Sequence, residues 1–219
     1  MRVFPVLILV LLSFAIAHAQ NEQAPIIEKD IEYKNWKLKR ISGGEAVNLR
    51  EYAAGRKLVM VVYFAPWCGN WKHDAPMLQK LYDKYRDQGL GIVAVGEYDP
   101  VTAMQANLDA LKITFPAVYE SENRTEKLNT LHYAYRKSTG DTRNWGSPWY
   151  IFLTPTTMEG AGDTLTKRAF VINGEMIESE GEKFIRERLG LAAAGSNSAI
   201  AAKQFEACEP DKRALLVKP

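Results

Sequence analysis

The chain has 219 residues, 47% of them hydrophobic and 25% charged, with a formal net charge of +2. That length and balance fit a globular protein of one domain with extensions, or at most two small domains. The nearly balanced charge, with no block of one sign, argues against nucleic acid as a partner, and two cysteines are too few for a disulfide framework.

From the N-terminus, Arg2 is a short positive start and Val3–Ala17 an apolar stretch. The stretch falls short of the ~20 residues a bilayer span needs, and Ala17-His18-Ala19 fits a small-x-small cleavage pattern. Residues 1–19 are therefore predicted to be a signal peptide, with the mature chain starting at Gln20 and no later stretch of membrane-span length. Export implies an oxidising compartment. Residues 20–35 are polar and mixed, the composition of a linker.

An ordered domain is expected over 36–190. Trp36–Arg40 opens it, Ser42-Gly43-Gly44 is a turn, and Val47–Leu49 is a short strand running into a helical turn. Lys57–Ala65 is a nearly continuous apolar run, as expected for a strand covered on both faces. A helix follows from Gly69 to about Gln88, with Leu78, Leu81, Tyr82 and Tyr85 at buried-stripe spacing and Pro76 inside it, where a kink is expected. Leu90–Val95 is a second buried strand, Val101–Leu111 a helix, Thr114–Tyr119 a strand-like run, and Glu122–Arg136 helical by composition. Trp149–Thr154 is a strand. Arg168–Ile172, Asn173-Gly174 and Glu175–Ser179 carry a strong hairpin signal, and Glu180–Leu189 is a closing helix stopped by Gly190. Residues 191–219 are a tail that contains Cys208. The order β-α-β-α-β-α, then β-β-α, is that of an α/β domain whose parallel pattern closes with an antiparallel unit.

Chemistry concentrates in Leu58–Trp71, where the apolar strand ends in Trp67-Cys68-Gly69-Asn70-Trp71 and a helix begins at once. Unpaired N–H groups and a partial positive charge at a helix start make this a favourable place for a thiolate. No metal-ligand cluster, phosphate-binding loop or Gly-x-Ser-x-Gly motif is visible, so no metal and no cofactor are expected.

Four local patterns resemble the exported TlpA/ResA type of thioredoxin-like protein over Trp36–Leu189. They are Tyr63-Phe64-Ala65-Pro66-Trp67-Cys68, the segment Lys72–Leu78, the run Ile113–Val118, and Gly146-Ser147-Pro148 before an apolar strand. The resemblance implies a thioredoxin-like fold with a central mixed β-sheet flanked by helices. It implies a catalytic pair of Cys68 and a cis-proline at Pro148, with Ser147 offering a backbone edge beside the sulfur. It also implies a bacterial periplasmic location and thiols or disulfides, of proteins or small molecules, as partners.

One departure is large: Trp71 stands where the second cysteine of Cys-x-x-Cys would be. In a dithiol enzyme the second cysteine resolves the mixed disulfide formed by the first, and an indole cannot. Cys208 is then the only internal candidate for a resolving thiol, and Lys72 and His73 are cations in sequence near Cys68. Trp67, Trp71, Ser147 and Trp149 are candidate substrate-binding residues, with Trp145 flanking them; an inward Trp71 filling the lost thiol's space is the competing reading. Ala65 replaces the threonine of a peroxiredoxin Pro-x-x-x-Thr-x-x-Cys motif, which argues against that peroxidase chemistry. Two functions stay open: monothiol thiol-disulfide exchange through Cys68, and a non-catalytic binding module using the groove beside Pro148.

Overall fold

A computed structural model describes residues 22–191 of the chain. The expected signal peptide and Cys208 lie outside the described residues. Among the described residues no helix is long and apolar enough to cross a membrane.

The strands are β1 (Gln23–Ala24), β2 (Ile27–Lys34), β3 (Lys37–Leu38), β4 (Val47–Asn48), β5 (Leu58–Phe64), β6 (Leu90–Gly96), β7 (Ala117–Tyr119), β8 (Trp149–Leu153), β9 (Thr164–Ile172) and β10 (Glu175–Met176). The α-helices are α1 (Leu49–Ala53), α2 (Gly69–Tyr85), α3 (Val101–Ala110), α4 (Leu131–Ser138) and α5 (Glu178–Leu189). Six strands form the central sheet in the order β2-β9-β8-β5-β6-β7. β5, β6 and β7 run parallel to one another, and β8, β9 and β2 are each added antiparallel.

The apolar run of β5 is buried along its whole length because the sheet is covered on both faces. Side chains alternate along a strand. Leu58, Met60, Val62 and Phe64 accordingly enter one core with Trp71, Leu78 and Ile185 from α2 and α5. Val59, Val61 and Tyr63 enter the other, with Tyr135 of α4 and Trp149 of β8. α2 runs through Pro76 without a break. α5 ends where Gly190 adopts φ 71°, a left-handed stop that glycine makes at low cost.

Three expectations are corrected. Residues 20–35 are not a linker where they are described: β2 is the edge strand of the central sheet, paired antiparallel with β9. The helix expected over Glu122–Arg136 is divided into a 3-10 turn over Arg124–Asn129 and α4, because Thr130 is extended (φ −80°, ψ 149°) and caps α4 through Tyr133 N–H. The Asn173-Gly174 turn does not close a hairpin; β10 pairs in parallel with β1. Glu22 occupies the space a hairpin would use: its carbonyl accepts from Glu175 N–H at 2.9 Å and lies 2.1 Å from where a Cβ on Gly174 would sit. Sequence pattern reports local turn chemistry, and here a distant strand competes successfully for the same backbone groups.

Candidate functional site

The site forms at the carboxyl end of β5, where ligand sites of α/β sheets tend to lie. β5 stops at Phe64, a turn closes with Cys68 N–H donating to Ala65 carbonyl at 3.0 Å, and α2 begins. Cys68 is the N-cap of α2, and its side chain makes no capping bond. Cys68 is half-buried. Its S–H donates to the Ser147 carbonyl at 3.1 Å.

Ser147 binds both sides of this turn. Its hydroxyl accepts from Ala65 N–H at 2.9 Å while its carbonyl receives the thiol. The Ser147-Pro148 peptide is cis, and both residues are buried. Gly146 just before them has φ 58°, and a Cβ there would meet the Arg136 guanidinium at 1.8 Å, so glycine is required twice over.

Buried polar groups support this loop. Arg143 pairs with Asp141 (2.8 Å), donates to the Pro148 carbonyl (2.9 Å) and reaches the Glu22 carboxylate (3.1 Å). Glu22 also accepts from Asn70, next to the cysteine turn, at 2.8 Å. His132, buried, lies 3.2 Å from the Gly146 carbonyl through Nε2 and 2.9 Å from the Tyr98 hydroxyl through Nδ1. Burial, with the Arg136 cation beside it, holds His132 well below the usual histidine range. The neutral ring then donates from Nε2 to the carbonyl and accepts the tyrosine proton at Nδ1. Burial and the neighbouring Glu120 push Glu97 well above the usual carboxylate range. One of its oxygens takes the Ser121 hydroxyl at 2.6 Å, and the other has no partner among the described residues.

A cavity of about 390 Å³ opens beside the sulfur, lined by Trp67, Cys68, Asn70, Arg143, Trp145 and Ser147, among others. Trp67 and Trp145 meet edge to face at 5.3 Å, with the Arg124 guanidinium over Trp67 and the Lys127 ammonium over Trp145. Such contacts hold large rings in place while leaving a face available.

The structure separates the four tryptophans. Trp67 and Trp145 line the cavity; Trp71 and Trp149 are fully buried, so neither offers a surface to a substrate. Trp71 packs on Phe64 (4.5 Å) and donates from Nε1 to Asn107 at 2.8 Å. Asn107, in turn, donates to the Pro66 carbonyl at 3.3 Å. The indole thus fills the core and ties α3 to the turn that carries Cys68. Trp149 packs on Tyr63 and donates to Asn173 at 2.8 Å.

His73 makes its hydrogen bond to Asp74, at 3.2 Å, not to the sulfur, and Lys72 is exposed. Burial raises Asp74, against the bonds it accepts from Tyr150 and Met176; burial and the nearby Asp74 raise Glu175. Glu22, Arg143, Asn107 and His132 carry no sequence signal for the site, because each reaches it through a tertiary contact.

Comparison with known proteins places this geometry among relatives. The profile of the AhpC/TSA family matches residues 30–143, which include Cys68. The chain is 31% identical over 106 residues to the thiol-disulfide oxidoreductase ResA of Halalkalibacterium halodurans, covering 48% of this chain and 53% of that protein. It is 27% identical over 118 residues to the thiol-disulfide oxidoreductase ResA of Oceanobacillus iheyensis, covering 52% and 60%. The chain therefore spans a little over half the length of these curated relatives. A thiol:disulfide interchange protein of the thioredoxin family from Chlorobium tepidum superposes with a TM-score of 0.54 at 13% identity, over 74% of this chain and 98% of that one. That likeness shows the fold, which is thioredoxin-like.

Proposed function

This chain belongs to the AhpC/TSA family, and on that premise we propose that it carries out monothiol thiol-disulfide exchange through Cys68. The observation that carries the reading is a half-buried cysteine at the start of α2, lining an open cavity with its sulfur on the Ser147 carbonyl, while a buried indole stands where the resemblance puts a resolving thiol.

The reaction follows from that arrangement. The Cys68 proton leaves to solvent, and the thiolate attacks one sulfur of a disulfide R–S–S–R′. A Cys68–S–R bond forms, the S–S bond breaks, and R′S⁻ leaves; Cys68 is oxidised and the R′ sulfur is reduced. Trp71 cannot take the next step; on this reading an outside thiol returns Cys68 to its reduced form, and Cys208, which lies outside the described residues, is the internal alternative. Trp67 and Trp145 hold the partner chain beside the sulfur, and the backbone at Ser147 and Pro148 fixes its approach. The partners are protein or small-molecule disulfides. The N-terminal signal pattern fits action in an exported, oxidising setting such as a bacterial periplasm.

Oxidised glutathione tests the reading. Intact-mass analysis after incubation is expected to show one mixed-disulfide adduct, mapped to the peptide containing Cys68, and the Cys68→Ser variant is expected to lose it. An adduct of equal yield in Cys68→Ser would defeat the assignment. If that variant instead kept its cellular partners and the native protein formed no covalent complex, the binding-module reading would replace it.

A further inference from the structure

Where α2 meets β10, three side chains with metal-binding atoms converge. One ligand atom each from His73, Asp74 and Glu175 lies within 4.8 Å of the other two. The sequence hides this group, because Glu175 lies far along the chain from α2 and meets it across the fold, where Met176 N–H donates to Asp74.

Asp74 is buried and firmly oriented. Its Oδ2 accepts from the Tyr150 hydroxyl (2.5 Å) and from Met176 N–H (2.9 Å), which leaves Oδ1 facing His73 Nδ1 at 3.2 Å. Glu175 supplies the second observation. Its side chain is only 8% exposed, and its Oε2 points at His73 Nδ1 from 3.8 Å. Two carboxylates removed from water thus face one imidazole, whose side chain is 69% exposed. Two buried carboxylates side by side are costly unless a cation meets them.

The geometry fits such a cation. Bonds of about 2.0–2.1 Å in a tetrahedral site set neighbouring ligand atoms about 3.3 Å apart. The 3.2 and 3.8 Å separations reach that spacing with a small movement of the exposed histidine and of Glu175. The bonds from Tyr150 and Met176 to the other Asp74 oxygen are the kind of support that orients a ligating carboxylate. A nitrogen ligand among oxygens favours Zn²⁺-class ions over Mg²⁺ or Ca²⁺.

We propose that His73 Nδ1, Asp74 Oδ1 and Glu175 Oε2 bind one divalent transition cation of the Zn²⁺ class, with water completing the shell on the solvent side. The site is separate from the thiol reading and stands whether or not Cys68 exchanges disulfides.

The test uses the full chain carrying Cys68→Ser and Cys208→Ser, so that no thiolate competes for the ion. Zn²⁺ titrated against a chromophoric chelator is expected to show saturable uptake of one equivalent. In the same background His73→Ala and Glu175→Gln are each expected to weaken binding about tenfold or more. The exposure of His73 makes its variant safe for folding, which circular dichroism verifies. No saturable uptake, or equal affinity in both variants and the parent, overturns the proposal.

Discussion

Trp71→Ala is expected to lower the stability of the domain by about 3–5 kcal/mol, the usual cost of truncating a buried aromatic side chain to alanine. The indole is fully buried, packs on Phe64 at 4.5 Å and satisfies Asn107 with a 2.8 Å hydrogen bond. Truncation leaves a void between β5, α2 and α3 and an orphaned Asn107 oxygen. Trp71→Phe restores much of the volume but not the bond, so its loss is expected nearer about 1–2 kcal/mol, the cost of one buried unsatisfied acceptor. Urea unfolding measures both differences. A midpoint for Trp71→Ala within error of the parent would mean that the indole is not holding the core.

Arg143→Ala is expected to cost about 3 kcal/mol, because it removes the main partner of a buried carboxylate. Asp141 has a side chain 1% exposed and takes both Nε and Nη2 of Arg143, at 3.1 and 2.8 Å. Arg136 remains as a longer second ion pair, its Nε 3.5 Å from Asp141. The same guanidinium holds the Pro148 carbonyl and Glu22, so its loss also frees the loop that touches the sulfur. The double variant Arg143→Ala with Asp141→Asn is expected to lose less than the two single variants together, as a cycle of two coupled residues should. A double variant no more stable than the sum of the two single losses would show that the pair is not coupled.

The fold is legible in the sequence wherever one strand or helix owns its pattern. The unbroken apolar run of β5 announces a strand covered on both faces, and Gly69–Tyr85 announces its helix by the spacing of Leu78, Leu81 and Tyr85. Cys68 at their junction is visible for the same reason, while the Gly146-Ser147-Pro148 loop is visible through the family resemblance. Legibility fails where distant segments compete. Asn173-Gly174 has hairpin chemistry, yet the backbone of Glu22 takes Glu175 N–H. The polar alternation of β2 hides a sheet edge, whose outer side is solvated. The sequence leaves Trp71 and Trp149 open between a groove and the core, with an inward Trp71 already one reading, and only Asn107 and Asn173, reached across the fold, explain how their N–H groups can be buried. The supporting polar groups Glu22, His132 and Arg143 are invisible in sequence because each acts through a partner far along the chain.

The central claim is that one reachable sulfur starts exchange and the chain cannot finish it. The most direct measurement is the lifetime of the Cys68–glutathione adduct, followed by intact mass after excess oxidised glutathione is removed. The adduct is expected to persist until an outside thiol is added and then to disappear. Failure of Cys68 to form the adduct in the native fold, or its spontaneous release with an internal disulfide to Cys208, would contradict the account.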